Sequence, residues 1–212
     1  LLQQRAPESI GVVVNEFGEV GIDGQLIVAE EQALVEINNG CVCCTARADL
    51  VGSVKALLAS PRTGAAPLQR LIVETSGLAD PAPVLQTFLA DPDLREAVHL
   101  ESVVTVVDAL HLRRQFDDDI AREQVAFADV ILINKLDLIT EKELVDVERS
   151  IRSLNPTAAI VTSTRARIRA DALLGTRRFS LSTLLEFEPD LLDENAHDHE
   201  HDASMVLVQM VT

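Results

Sequence analysis

Val130-Ile131-Leu132-Ile133-Asn134-Lys135-Leu136-Asp137 decides how the chain is read. Its first four residues are β-branched or aliphatic with no polar alternation, the pattern of a strand buried on both faces, as in parallel sheets. That strand runs straight into a polar turn. On its carboxyl side, 141–154 has apolar residues at helical spacing and closes at Asn155-Pro156, and 159–161 is a further strand followed by Thr162-Ser163. On its amino side, 120–128 reads as a helix, and 103–107 as a strand ending in Asp108 with His111 just beyond. Earlier still, 10–14, 33–37 and 71–73 read as strands, and 82–89 as a helix entered through Leu78-Ala79-Asp80-Pro81. From Thr45, the expected N-cap, Leu50, Val54, Leu57 and Leu58 recur at helical spacing until Pro61 stops the run. Strands alternating with helices predict a doubly wound, mainly parallel α/β sheet. No internal repeat is evident.

Such sheets place ligands at the carboxyl ends of their strands. Asn134-Lys135-x-Asp137 is the most specific of the strand ends. One carboxylate can accept from both the ring N1–H and the exocyclic amine of guanine, a pair that adenine does not offer. A site left with unpaired polar groups can reject the wrong base by about 10⁴. The Lys135 stem can lie along the base, and Asn134 can tie the loop to its neighbours. Ser163, one strand later, is placed for its backbone N–H to meet the guanine oxygen. At the end of the 71–73 strand, Glu74 stands where an acid can meet a ligand, and Gly77 lets a backbone N–H approach a phosphate closely. The plain alternatives are a surface helix start at 134–137 and an ordinary turn at 74–77. Two such motifs at two strand ends favour a nucleotide.

All 3 cysteines fall within Asn38-Asn39-Gly40-Cys41-Val42-Cys43-Cys44-Thr45. In an extended segment Cys41 and Cys43 project to one side, and a bend after Cys43 can bring Cys44 to join them. Three thiolates suit Zn²⁺ or Cu(I), and a tetrahedral site still needs a donor from elsewhere. The acidic, glycine-rich loop of 15–24 precedes them and offers Glu16, Glu19 and Asp23 for metal or magnesium. The bland alternative is a set of small buried hydrophobes beside a helix start.

The 212 residues, 47% of them apolar, are enough to bury a substantial core with some appendage. A formal net charge of −16 argues against nucleic acid and against an anionic membrane surface as partners. The clustered cysteines read as a reduced metal site rather than a disulfide framework, which makes the cytoplasm the default compartment. No apolar run is long enough to cross a bilayer, and no signal peptide is visible. Leu1-Leu2-Gln3-Gln4-Arg5 reads as the last turn of a helix cut at its amino end. Residues 186–202 are crowded with carboxylates around His197-Asp198-His199-Glu200-His201 and read as a linker, after which 204–211 alternates like the first strand of a further domain.

Taken together, Asn15-Glu16-Phe17-Gly18-Glu19-Val20-Gly21-Ile22-Asp23, Asn39-Gly40-Cys41-Val42-Cys43-Cys44, Glu74-Thr75-Ser76-Gly77-Leu78-Ala79-Asp80-Pro81, Val106-Val107-Asp108-Ala109 and Asn134-Lys135-Leu136-Asp137 stand in an order that resembles CobW-type P-loop GTPases. The resemblance covers almost the whole chain. It implies GTP hydrolysis with Mg²⁺, and delivery of zinc, or of cobalt on the way to cobalamin, to a metal-dependent client protein; a homo-oligomer is compatible with it. By position it implies metal binding at Cys41, Cys43 and Cys44 with Glu19. Glu74 and Gly77 match the Walker B and switch II positions, and Asn134, Lys135 and Asp137 match the guanine motif. It also implies an amino-terminally truncated G domain over 1–185 that lacks its first strand, a linker over 186–203 and the first strand of a carboxyl-terminal domain over 204–212. The family's Gly-x-x-Gly-x-Gly-Lys-Thr phosphate loop is absent from the sequence, and Val14 stands where some relatives carry a glutamate. A metal-buffering or client-binding module with a vestigial guanine site is the alternative.

Overall fold

The computed structural model describes residues 10–16, 33–38, 44–59, 68–75, 77, 79–182, 185 and 203–210. In chain order they form β1 (Ile10–Glu16), β2 (Ala33–Asn38), α1 (Cys44–Ala59), β3 (Arg70–Thr75), α2 (Pro81–Ala90), α3 (Pro92–Ala97), β4 (Val98–Asp108), α4 (Leu112–Gln115), α5 (Asp119–Ala126), β5 (Val130–Asn134), α6 (Glu141–Leu154), β6 (Ala159–Thr162) and β7 (Ala203–Met210). The strands make one seven-stranded sheet in the order β2-β1-β3-β7-β4-β5-β6, and every neighbouring pair is parallel. All the carboxyl ends therefore lie on one edge. The doubly wound α/β expectation holds, and α6 has the bounds read from its periodicity. It opens with a capping box in which Thr140 and Glu143 bond each other's backbone N–H. Helix α1 begins at Cys44, so Thr45 lies inside it rather than capping it.

Handedness explains the layering. The crossovers from β2 through to β6 all step the same way along the sheet, and right-handed crossovers of one direction share a face. On that face Val13, Val73, Val103 and Leu207 pack under α1, α2 and α3, and Val107, Ile131 and Ile133 pack against α5 and α6. The return from β6 to β7 steps backwards. Accordingly Ala170, Leu173 and Leu174 lie on the opposite face, with Val12, Ile72, Val104, Leu132 and Val206.

Strand β7 departs from expectation. Read from the sequence as the opening strand of a further unit, it lies here in the middle of the sheet, paired with β3 from Arg70↔Ser204 to Thr75↔Gln209 and with β4 on its other side. Met205, Val206 and Leu207 are consecutive and all fully buried, which demands cover on both faces at once. Only an interior strand offers that. The acidic, histidine-rich tract before it and residues 1–5 lie outside the described residues.

A charge pair crosses this inserted strand. Arg70 of β3 is 7% exposed and Glu101 of β4 is 1% exposed, and the Arg70 guanidinium donates to Glu101 Oε2. The β4–β7 register shifts between Leu100 and Ser102, which leaves Glu101 out of the ladder. Its carbonyl accepts from Phe179 N–H at 3.0 Å, and its Oε1 accepts from the backbone N–H groups of Gly175 and Thr176. Removing one member of a buried pair strands the other charge, at roughly 3–5 kcal/mol. Arg70→Met should lower unfolding free energy by about that amount in urea titration. The Arg70→Met/Glu101→Leu double variant should recover more than half of the loss; a double variant no more stable than the single would mean that Glu101's main duty is to the 175–179 segment.

Candidate functional site

The turn after β5 is the best-defined feature of the carboxyl edge. Asn134 Oδ1 accepts from Ser163 Oγ at 3.0 Å and from Ala166 N–H at 2.9 Å, so one side chain ties the loop after β6 to the turn after β5. The Asn134 carbonyl accepts from Ala109 N–H at 3.0 Å, which joins the end of β4 as well. Lys135 follows in the left-handed region at φ 63°, and Arg165 and Ala166 share that region at φ 53° and 51°. Each such non-glycine residue costs on the order of 1 kcal/mol, and strain of this kind persists where surrounding bonds over-determine the backbone. Here those bonds include Leu136 N–H to the Ser163 carbonyl at 3.3 Å and Leu138 N–H to the Lys135 carbonyl at 3.0 Å. The result presents Asp137, within the 3₁₀ turn Leu136–Leu138, as an exposed carboxylate on a fixed turn. Among the described residues no hydrogen bond or ion pair claims it. It can accept two parallel N–H donors from a planar ligand.

Asp108 supports the turn from the neighbouring strand. Paired in register with Asn134, it accepts from Lys135 Nζ at 2.7 Å and from Leu110 N–H at 2.9 Å, and lies 2.9 Å from His111 Nδ1. Burial pushes its carboxyl up, yet the hydrogen bonds from Lys135, His111 and Leu110 outweigh burial and hold its pKa at about 2. Sequence reasoning placed Asp108 at a strand end but gave it no role. The signal was available, since β4 and β5 are sheet neighbours whose ends are in register.

At the end of β3, Glu74 is half-buried, in register with Val14 of β1 and Val208 of β7. The Gly77 carbonyl accepts from Gln124 Nε2. Two strands separate β3 from β5 in the sheet, and Glu74 is level in register with Val130 rather than with Asn134, which puts Glu74 roughly 20 Å from Asn134. One expected contact is corrected. The Ser163 N–H donates to the Ile133 carbonyl at 2.8 Å and is not available to a base; the hydroxyl, through Asn134, is what joins Ser163 to the site. Glu19, Cys41 and Cys43 lie outside the described residues, and Cys44 is placed only as the first residue of α1. Among the described residues no three His, Cys, Asp or Glu side chains converge as a metal site, and no helix is long and apolar enough to cross a membrane. A cavity of about 310 Å³ sits at the opposite edge, before β5 and β6, lined by residues including Phe127, Asp129, Arg178 and Phe179.

Residues 1–162 match the model of the CobW/HypB/UreG nucleotide-binding domain. The chain belongs to this CobW/HypB/UreG family. It is 33% identical over 212 residues to the zinc chaperone YjiA of Escherichia coli, covering 99% of this chain and 65% of that protein. It is 31% identical to the zinc-regulated GTPase metalloprotein activator 1 of Dictyostelium discoideum, covering 90% of this chain and 47% of the other. The crystal structure of the Zn(II)-bound YjiA GTPase aligns with a TM-score of 0.58 at 29% identity, over 83% of this chain and 55% of that one. The CobW-type chain described here thus spans between about half and two thirds of the length of these curated relatives.

The Asp108 cluster makes a pH-dependent contribution with a defined sign. Its folded pKa of about 2 lies below the ordinary 3.8, so its stabilisation is complete above about pH 4 and is lost as pH falls through 2. The shift corresponds to about 2 kcal/mol. Asp108→Asn should cost that much at neutral pH, and the gap between wild type and variant should close between pH 4 and 2 in denaturant titrations. A gap that stayed constant over that range would show that the variant acts through packing and not through the carboxylate.

Proposed function

We propose that this chain is the guanine-nucleotide-binding and metal-loading part of a GTP-dependent zinc chaperone. The exposed Asp137 carboxylate on its over-determined turn carries the proposal, because it is a preorganised acceptor at the edge where parallel sheets bind ligands. Asp137 would accept the guanine N1–H and amine, the Lys135 stem would lie along the base, and Asn134 would hold the two loops together. With the Ser163 N–H spent in the sheet, the next N–H groups of that loop, those of Thr164 and Arg165, take over the guanine oxygen. The separation of roughly 20 Å from the Asn134 turn to Glu74 leaves room for the sugar and phosphates before Glu74 and Gly77. Mg²⁺, when bound, neutralises charge on the phosphoryl group being transferred. Glu74 would order its water shell or the attacking water, and Gly77 would bring backbone close to the terminal phosphate.

Zinc enters as cargo. Cys41, Cys43 and Cys44 supply soft thiolate donors suited to it, Glu19 completes the set, and the client is a metal-dependent protein. The relatives named as zinc chaperones favour zinc over cobalt.

Both halves are testable in the full-length protein. GTP should displace a labelled guanine nucleotide far better than ATP does, and Asp137→Ala should cut that preference by at least about tenfold, the worth of the hydrogen bonds lost. Equal affinity for the two nucleotides would sink the base assignment. Zn²⁺ affinity should differ between the forms loaded with GDP and with a non-hydrolysable GTP analogue by about 5- to 150-fold, the usual range of site-to-site coupling. Cys43→Ser and Glu19→Ala should shrink that difference. Identical Zn²⁺ affinities in both states would reduce the cysteine turn to a passive metal site.

A further inference from the structure

Gln124 of α5 is completely buried and has been assigned no task by the motifs above. Its side-chain amide donates to the Ala79 carbonyl at 2.9 Å and to the Gly77 carbonyl at 3.2 Å. Two carbonyl oxygens can be met only by the amide nitrogen, so the orientation of the side chain is fixed and both of its N–H hydrogens are spent on one turn. The Gln124 backbone carbonyl accepts from the buried Thr105 hydroxyl of β4 at 2.7 Å. Just beyond the turn, Asp80 caps α2 through Ala82 N–H at 2.8 Å. The turn after β3 is thus held from α5 by a single residue, 47 and 45 positions away in sequence.

Holding a carbonyl also aims an N–H. A trans peptide unit is planar, with its N–H opposite its C=O. With the Ala79 carbonyl directed at Gln124, the Asp80 N–H points away from α5. We propose that Gln124 is the positioning residue that, by holding the Gly77 and Ala79 carbonyls, directs backbone N–H donors after β3, that of Asp80 among them, to the terminal phosphate of a nucleoside triphosphate. The inference rests on the guanine-nucleotide function proposed above. A donor whose direction is set in advance needs no reorganisation when charge develops, which is why such donors matter for rate more than for ground-state affinity.

The test uses the full-length protein as wild type, Q124M and Q124E. Methionine keeps the volume and removes both donors. With Q124M, GDP affinity should stay within about twofold, while the affinity ratio of a non-hydrolysable GTP analogue to GDP and the kcat for GTP should each fall at least about tenfold, with KM moving less. A buried glutamic acid has a raised pKa and donates one hydrogen only while protonated. Q124E should therefore regain kcat relative to wild type as pH falls, which a purely structural residue would not do. A folded Q124M with the wild-type ratio and kcat overturns the inference and leaves the guanine function standing, as does a flat relative pH profile for Q124E. Failure of both variants to fold would make Gln124 a structural residue and overturn it too. Wild type without guanine-nucleotide binding would remove the function itself, and the inference with it.

Discussion

The buried Arg70–Glu101 pair is the constraint on which the sheet rests. It joins β3 to β4 across an intervening strand, at the edge opposite the candidate site, and a pair in that position is useful only if β7 lies between the two strands. Glu101 is costly to bury, and it offsets that cost by collecting charge-assisted bonds from the guanidinium and from two backbone N–H groups of the 175–176 turn. Those bonds fix where the chain returns over the far face. The parallel order of the central strands, and with it the placing of the strand ends at Thr75, Asp108 and Asn134 toward one edge, depends on the same node.

From that frame two groups of side chains hold the functional edge. Asn155 donates its amide to the carbonyls of Val125, Ala126 and Ala128 at 2.8 to 3.0 Å, and closes the carboxyl end of α5. Gln124 holds the turn after β3 from the same helix. Helix α5 leads through Asp129, which burial pushes up to about 6 and which anchors to Val103 N–H, directly into β5 and the Asn134 turn. A displacement of α5 would therefore be felt at both the Asp137 carboxylate and the Gly77 turn. Under the function proposed above, that is a physical route by which base recognition and phosphate recognition would share one element.

Much of this was legible in the sequence. The apolar runs at 10–14, 71–73 and 130–133 gave strands because burial on both faces leaves no room for polar alternation, and α6 was legible down to its cap. Asn134, Lys135 and Asp137 were legible because a polar cluster ends a buried strand. Strand β7 was not. Its pairing is long-range, it follows a carboxylate-rich tract that reads as a boundary, and no local pattern distinguishes an inserted central strand from the first strand of a new unit. Glu101 and Gln124 were hidden for a related reason. A charged or polar residue inside an apolar element reads as solvent-facing until its partners, tens of residues away, are in place. The strained loop at Arg165 and Ala166 carries no glycine to announce it.

Selectivity and affinity for an anionic nucleotide fall to different groups. With a formal net charge of −16, the chain as a whole repels a triphosphate, so binding depends on local donors and on cations brought with the ligand. The Lys135 ammonium is bonded to Asp108 and would serve the base end of the edge. That pairing holds the lysine stem in place while cancelling its charge, which suits a residue meant to orient a planar ring and not to attract phosphate. Under the function proposed above, the described edge would choose the base. On the same proposal, backbone N–H groups such as those in the turn held by Gln124, and magnesium, would contribute to holding the phosphates. A site divided in this way can lose its grip on the terminal phosphate without losing its hold on the base, which is what a protein that reports its nucleotide state to a metal site requires.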